Sequence, residues 1–179
     1  MLKSEHALLL VIDVQGKLAN LAWRSERMQN NIRILIEGSR ILDIPMLVTE
    51  QYPKGLGHTI DSIALLFGDA PVLEKNSFSC CGEYAFELKL NEMHKTDIIV
   101  CGIETHVCVY QTVRDLLDLG YNVHLVTDAV SSRTEDNWRL GVETCRSLGA
   151  KITGTEMLLF EMLRESGTER FKAISKLVK

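Results

Sequence analysis

Short uninterrupted apolar runs recur along the chain and predict buried β-strands. The first reads Ala-Leu-Leu-Leu-Val-Ile at residues 7–12, and a later one reads Ile-Ile-Val-Cys at residues 98–101. Continuous apolarity, as opposed to alternation, is typical of strands that are covered on both faces of a parallel sheet. Four further runs complete a predicted set of six strands, at residues 46–49, 71–75, 122–127 and 150–153.

The segments between these runs carry apolar residues at three- and four-residue spacing, which predicts helices. In residues 24–43, for example, Met28, Ile32 and Leu35 lie on one apolar stripe. Further helices are predicted near residues 62–67, 84–93, 105–119, 135–148, 156–164 and 169–177. Because strands alternate with helices and no linker intervenes, residues 1–179 are expected to form one α/β domain. Its predicted core is a doubly wound, Rossmann-like and mostly parallel sheet of about six strands, with helices on both faces.

One cysteine occupies a position that favours reactivity. The strand at residues 98–101 stops at Gly102, and apolar residues such as Val109 then recur at helical spacing, so a helix is expected with Thr105 as its N-cap. Cys108 falls in the first turn of this helix, on an exposed elbow where free N–H groups and the helix dipole favour a thiolate. Cys108 is therefore a candidate nucleophile, although a buried cysteine with a packing role fits the same position.

Two other polar residues lie at the ends of predicted strands. Asp13 follows the first strand and Lys75 ends the third, while Cys108 lies just beyond the fourth. The carboxyl ends of parallel strands share one edge of a sheet, where doubly wound folds bind their ligands. Taken singly, Asp13 fits a turn residue and Lys75 a solvated surface charge. Together they predict a cluster of acid, base and nucleophile at one edge.

Composition narrows the class of protein. Hydrophobic residues make up 46% of the chain and the net charge is −4, so there is no basic footprint for nucleic acid. No apolar stretch reaches the roughly 18 residues of a membrane span. The five cysteines are scattered without a C-x-x-C pair, which favours reduced thiols over a disulfide framework or a zinc site. These features predict a cytoplasmic protein that acts on a small molecule, without a membrane or nucleic acid as partner.

Several stretches together resemble the isochorismatase-like cysteine hydrolases, in order and spacing over essentially the whole chain. The most specific is Gly-x-x-Thr-x-x-Cys-Val at residues 102–109, and Glu-Gln-Tyr-Pro-Lys-Gly-Leu-Gly at residues 50–57 is similar to the isochorismatase-domain-containing subgroup. The other matching stretches are Leu10–Gln15, Leu73–Ser79 and Val126–Arg133.

The resemblance implies a catalytic triad of Asp13, Lys75 and Cys108 and a cis peptide bond between Ile103 and Glu104. It favours hydrolysis of an amide-type C–N bond through a covalent acyl-enzyme, with the backbone N–H groups of Glu104 and Cys108 as an oxyanion hole. Candidate pocket walls are Leu18, Trp23, Tyr52 and Phe78, for which core packing is an equal alternative.

The resemblance also implies a homo-oligomer. The C-terminal segment offers candidate apolar surface for self-association, although the same residues could pack within the monomer. They are Phe160, Met162, Phe171, Ile174 and Leu177.

Two departures from the family pattern shape the expected chemistry. Metal-dependent nicotinamidases carry an Asp-x-His pair in the loop after the second strand, whereas this loop has Glu50 and only His58 nearby. We therefore expect no catalytic metal and no cofactor. True isochorismatases cleave a vinyl ether without a cysteine, so Cys108 points to other chemistry. A vinyl-ether hydrolase that uses Asp13 as acid and a catalytically silent oligomer remain alternatives, whereas the missing G-x-G-x-x-G excludes a Rossmann dinucleotide site.

Overall fold

A six-stranded, fully parallel sheet forms the centre of the structure, a computed structural model that describes residues 1–179. The strand order is β3-β2-β1-β4-β5-β6. The strands β1 and β4 therefore lie at the centre, with β2 and β3 added on one side and β5 and β6 on the other. The strands are β1 (Ala7–Ile12), β2 (Met46–Gln51), β3 (Val72–Lys75), β4 (Asp97–Ile103), β5 (Asn122–Ser131) and β6 (Lys151–Thr153). This topology confirms the predicted doubly wound α/β fold, with no antiparallel strand in the sheet.

Nine α-helices connect or flank the strands. They are α1 (Gly16–Leu21), α2 (Ser25–Ile41), α3 (Pro53–Leu56), α4 (Asp61–Ala64), α5 (Tyr84–Glu92), α6 (Tyr110–Asp118), α7 (Glu135–Ser147), α8 (Thr155–Leu163) and α9 (Glu169–Leu177). The short helices α1 and α3 were not predicted, because six and four residues are too few to show a period. Pro53 starts α3, a position where the missing N–H costs nothing. None of the helices has the length and hydrophobicity that crossing a membrane requires.

The central strands are buried on both faces, which explains their continuous apolar sequence. Along β1, Leu8 and Leu10 face one apolar layer, whereas Leu9 and Val11 face the other. Helices α2, α8 and α9 cover the second face, and α5, α6 and α7 cover the first. Each such side chain contributes roughly 1.5–3 kcal/mol on burial, so the two layers together hold the strand ends in fixed positions.

The C-terminal helices pack within the monomer. The rings of Phe160 and Phe171 lie 6.1 Å apart, Met162 and Ile174 are buried in the core, and Leu177 packs against that core. Met162 and Ile174 therefore pack within the monomer, whereas Phe160, Phe171 and Leu177 remain partly exposed, so their role in self-association stays a prediction.

Gly102 lets β4 approach β1 closely beside the end of both strands. Its φ is +119°, and a Cβ atom there would lie 2.0 Å from the carbonyl oxygen of Ile12. A side chain would therefore push apart the strands that carry Asp13 and the elbow after β4.

We expect Gly102→Ala to lower the free energy of unfolding by at least about 3 kcal/mol, since backbone strain and overpacking add at one position. Urea unfolding measures this loss. Gly120→Ala is the matched control, because Gly120 also has a positive φ (+87°) but no atom within 4 Å of its Cβ position. Equal losses in both variants would show that the approach of β1 is not the cause.

Candidate active site

Asp13 lies directly after β1 with its side chain buried. It adopts a left-handed φ of 51°, and its backbone N–H donates to the carbonyl oxygen of Thr49 at 3.1 Å. The Thr49 hydroxyl donates to carboxylate Oδ1 at 2.8 Å, and Nζ of Lys75 lies 2.7 Å from Oδ2. The carboxylate is therefore oriented by one group from β2 and one from β3.

Lys75 ends β3 and is only 3% exposed, so it is not the solvated surface charge that the alternative interpretation allowed. Its ammonium group also donates to Oε1 of Gln51 at 2.6 Å and to the carbonyl oxygens of Ser77 and Phe78 at 3.1 and 3.0 Å. Burial is the largest influence on the pKa of Lys75 and lowers it, but the charge and hydrogen bond of Asp13 and the nearby Cys80 and Cys108 together outweigh burial, so the pKa is raised. Lys75 is thus a fully paired, permanently charged group.

Cys108 lies in a π-helical turn, Thr105–Val109, between β4 and α6. The N–H groups of Val107 and Val109 both donate to the carbonyl oxygen of Glu104, which tightens the elbow. Two expectations fail here. The Thr105 hydroxyl caps nothing and has no hydrogen-bond partner, and Cys108 is 7% exposed rather than on an open elbow. The Ile103–Glu104 peptide bond before the turn is cis, as the family resemblance implied.

The thiol of Cys108 keeps its proton in the resting structure. Burial and, second to it, the adjacent carboxylate of Asp13 raise its pKa to about 12, and the ammonium of Lys75 offsets only part of this rise. Position on the helix start is therefore not enough to give a resting thiolate. A base must remove the proton when a substrate is attacked, and the carboxylate of Asp13 is the base at hand.

The carboxylate of Asp13, the turn after β4 and the thiol of Cys108 all border one cavity of about 140 Å³. Asp13, Glu104 and Cys108 line it together with two glutamines, Gln15 and Gln51. The remaining walls are apolar: Leu18, Leu56, Phe78, Ile103 and Val107.

Two of the four predicted wall residues lie elsewhere. Leu18 and Phe78 line the cavity, whereas Tyr52 and Trp23 do not. Tyr52 takes a left-handed φ of 37° before α3 and points outwards, 54% exposed. Trp23 stacks on Trp138, with ring centroids 4.8 Å apart, at a separate site. Sequence position could not distinguish these directions, because the short helices α1 and α3 set them.

Two glutamines organise the site and were not predicted. Gln15 donates to the carbonyl oxygens of Gln51 (3.1 Å) and Gly57 (2.6 Å) and accepts from the N–H of Gln51 at 2.6 Å. Gln51 in turn bonds to Lys75 and places its Oε1 3.9 Å from Sγ of Cys108. Gln15 and Gln51 both belong to stretches that matched the family or its subgroup, residues 10–15 and 50–57, but neither was given a role.

The end of β2 is a closed hydrogen-bond cluster. Oε1 of Glu50 accepts from the N–H and hydroxyl of Thr59 at 2.7 and 2.8 Å, and Oε2 lies 2.8 Å from Nδ1 of His58. Burial raises the pKa of Glu50, but these bonds outweigh it, so the pKa is lowered. No group of three His, Cys, Asp or Glu side chains is gathered to hold a metal ion.

Comparison with known proteins places this geometry in a family. The isochorismatase domain matches residues 7–157. The secreted isochorismatase effector Isc1 of Phytophthora sojae is 39% identical over 177 residues, 97% of this chain and 84% of that protein. The structure of the MAR1 ribonuclease from Caenorhabditis elegans is 37% identical with a TM-score of 0.93, covering 99% of this chain and 91% of that chain.

A more distant structure shares the fold. YcaC of Escherichia coli is 21% identical with a TM-score of 0.93 over 98% of this chain and 88% of that chain. With a family match from β1 to α8, and relatives at nearly 40% identity along almost its full length, the chain belongs to the isochorismatase family of hydrolases.

Proposed function

We propose that this protein is a cysteine-dependent hydrolase that cleaves a small amide-type C–N bond through a covalent acyl-enzyme. The observation that carries the proposal is that Asp13 and Cys108 line one small cavity, while the ammonium of Lys75 lies 2.7 Å from the Asp13 carboxylate. In this proposal Asp13 is the base, Cys108 the nucleophile, and Lys75 the fixed charge that holds both in place.

Acylation begins with a neutral thiol. Asp13 takes the proton from Sγ of Cys108 as the sulfur attacks the carbonyl carbon, forming a C–S bond and a tetrahedral oxyanion. The backbone N–H groups of Glu104 and Cys108 are the candidate donors to this oxygen. The C–N bond then breaks, Asp13 returns its proton to the departing nitrogen, and an amine or ammonia leaves.

Deacylation uses the same carboxylate. Asp13 takes a proton from a water molecule, which attacks the thioester and forms a second tetrahedral intermediate. The C–S bond breaks, the carboxylic acid departs, and the proton returns to the thiol of Cys108. The buried Lys75 stays charged throughout because four oxygen atoms surround its ammonium group.

The test is a panel of small amides and nitriles, with intact-mass detection of a covalent adduct and with product release followed in parallel. Turnover of an amide with an acyl adduct on the peptide that contains Cys108 supports the proposal. Turnover of vinyl ethers alone, without adduct, would favour the alternative in which Asp13 acts as an acid. A panel that gives neither turnover nor adduct would favour a catalytically silent member.

The substrate panel also needs an RNA, because of what the nematode relative is called. That protein is called a ribonuclease, so an RNA oligonucleotide is included. The structure here favours a small substrate, because the cavity measures about 140 Å³ and the chain carries a net charge of −4. RNA cleavage by the Cys108→Ala variant would show that the activity does not depend on Cys108, and would contradict the mechanism proposed for this site.

We further propose that the protein works as a homo-oligomer. YcaC, with the same fold, is described as an octameric hydrolase, and apolar side chains such as Leu65, Leu140 and Met157 are at least 60% exposed here. Light scattering at micromolar concentration is expected to give a mass several times that of one chain. A monomer under these conditions would contradict this prediction.

The working compartment is also a proposal. All five cysteines are free thiols, which suits a reducing cytoplasm. The Phytophthora relative is named as secreted, so fractionation of the native protein is the direct test.

A further inference from the structure

A second cavity, of about 160 Å³, lies beside the start of α2 and shares no residue with the cavity that contains Cys108. One wall is formed by Trp23, Arg24, Arg27 and Met28. The other comes from the later part of β5, with Thr127, Asp128 and Val130, and from Trp138 of α7. None of the proposed catalytic steps uses these residues.

The aromatic wall of this cavity is fixed in place. The indole rings of Trp23 and Trp138 lie 4.8 Å apart at 38° and form one apolar surface. The N–H of Trp23 donates to the carbonyl oxygen of Ser132 at 2.7 Å, and its carbonyl oxygen accepts from the Ser131 hydroxyl at 2.5 Å. The indole N–H of Trp138 donates to the carbonyl oxygen of Thr127 at 3.1 Å. A ligand therefore meets a preformed surface, which reduces the entropy cost of binding.

Two unpaired positive charges stand at the same cavity. The guanidinium of Arg24 lies 4.3 Å from the centre of the Trp23 ring, and Arg27 follows one turn later on α2. Neither forms an ion pair, although five other arginines do: Arg33, Arg114, Arg133, Arg139 and Arg170. The one carboxylate in the lining, Asp128, uses Oδ1 to accept from the N–H and hydroxyl of Thr155, both at 2.9 Å.

We propose that this cavity binds a small aromatic carboxylate. The guanidinium fork matches a carboxylate in charge and shape, and a planar apolar body fits against the two indoles. A simple inorganic anion would leave the aromatic wall unused, and an uncharged aromatic molecule would leave the arginines unpaired.

Binding can be followed without any catalysis. Trp23 and Trp138 are the only two tryptophans of the chain, so intrinsic tryptophan fluorescence reports this cavity alone. Benzoate, benzamide and inorganic phosphate are titrated into the Cys108→Ala variant, with excitation at the red edge of indole absorption. Because the nucleophile is absent, the outcome is independent of the proposed hydrolase activity.

We expect a saturable change with benzoate, and in Arg27→Ala an affinity lower by about tenfold or more, as for a lost charge-assisted hydrogen bond. Arg33→Ala, on the same helix but paired with Glu37, is the matched control and is expected to bind as the parent does. The proposal is overturned by no saturable change up to about 10 mM benzoate, a range that covers weak sites. It is equally overturned if benzamide or phosphate binds as tightly as benzoate, or if Arg27→Ala and Arg33→Ala behave alike.

Discussion

Cys108→Ala is expected to lower amide hydrolysis by at least about 10⁴-fold, the scale on which enzymes lose activity when a nucleophile is removed. The thiol lies in the cavity beside the carboxylate of Asp13, and no other thiol lines that cavity. The fold should survive, because the sulfur borders open space and its loss costs no more than about 1 kcal/mol. Steady-state turnover and thermal unfolding of the same preparation measure both effects.

Cys101→Ser is the matched control for this experiment. Cys101 is fully buried in β4, next to Gly102, and its sulfur lies 3.7 Å from the carbonyl oxygen of Leu10. A hydroxyl there costs roughly 1–3 kcal/mol of stability but leaves the cavity intact. Cys108→Ala should therefore lose activity and keep its stability, whereas Cys101→Ser should lose stability and keep its activity. Unchanged turnover in Cys108→Ala would remove the nucleophile from the proposed mechanism.

The sheet could be predicted from sequence because both of its faces are buried. Full burial makes a strand read as an uninterrupted apolar run, and β1 was found in this way to the residue. The prediction for β4 was too short, because the strand begins at Asp97 and continues through Gly102, its expected end, to Ile103. The same parallel order places strand ends on one edge, so the meeting of Asp13 with Lys75 followed from topology alone. Topology fixes the position of the backbone, and at this site the backbone positions were enough to bring the side chains of Asp13 and Lys75 together.

The walls of the cavity could not be predicted in this way. The directions of Trp23 and Tyr52 depend on α1, α3 and left-handed residues such as Arg24, and such short elements leave no periodic signal. Gln51 was missed for a related reason, since a glutamine at the end of a strand is chemically unremarkable until its neighbours are known. The state of the Cys108 thiol also depended on burial, which outweighed the helix start.

Asp13→Asn is expected to separate thiol reactivity from catalysis. With its pKa raised to about 12, chiefly by burial, the thiol of Cys108 holds its proton at neutral pH. Asp13 raises this pKa and Lys75 lowers it, so removing the carboxylate charge should lower the pKa. Alkylation by iodoacetamide at a fixed neutral pH should therefore become faster, because the gain in thiolate exceeds the loss of nucleophilicity that accompanies a lower pKa, while hydrolysis is lost for want of a base.

Two substitutions can break the Asp13–Lys75 ion pair, and Asp13→Asn is expected to destabilise the fold less than Lys75→Ala. In Asp13→Asn the ammonium of Lys75 keeps three acceptors, on Gln51, Ser77 and Phe78. Lys75→Ala would instead leave Asp13 charged and buried without its cation, at a cost of about 3–5 kcal/mol, and should slow alkylation. Relative to the parent protein, Asp13→Asn should be alkylated faster and Lys75→Ala more slowly, and both variants should lose turnover. Slower alkylation in Asp13→Asn would mean that the carboxylate already activates the resting thiol, and the sequence of proton transfers proposed above would be wrong.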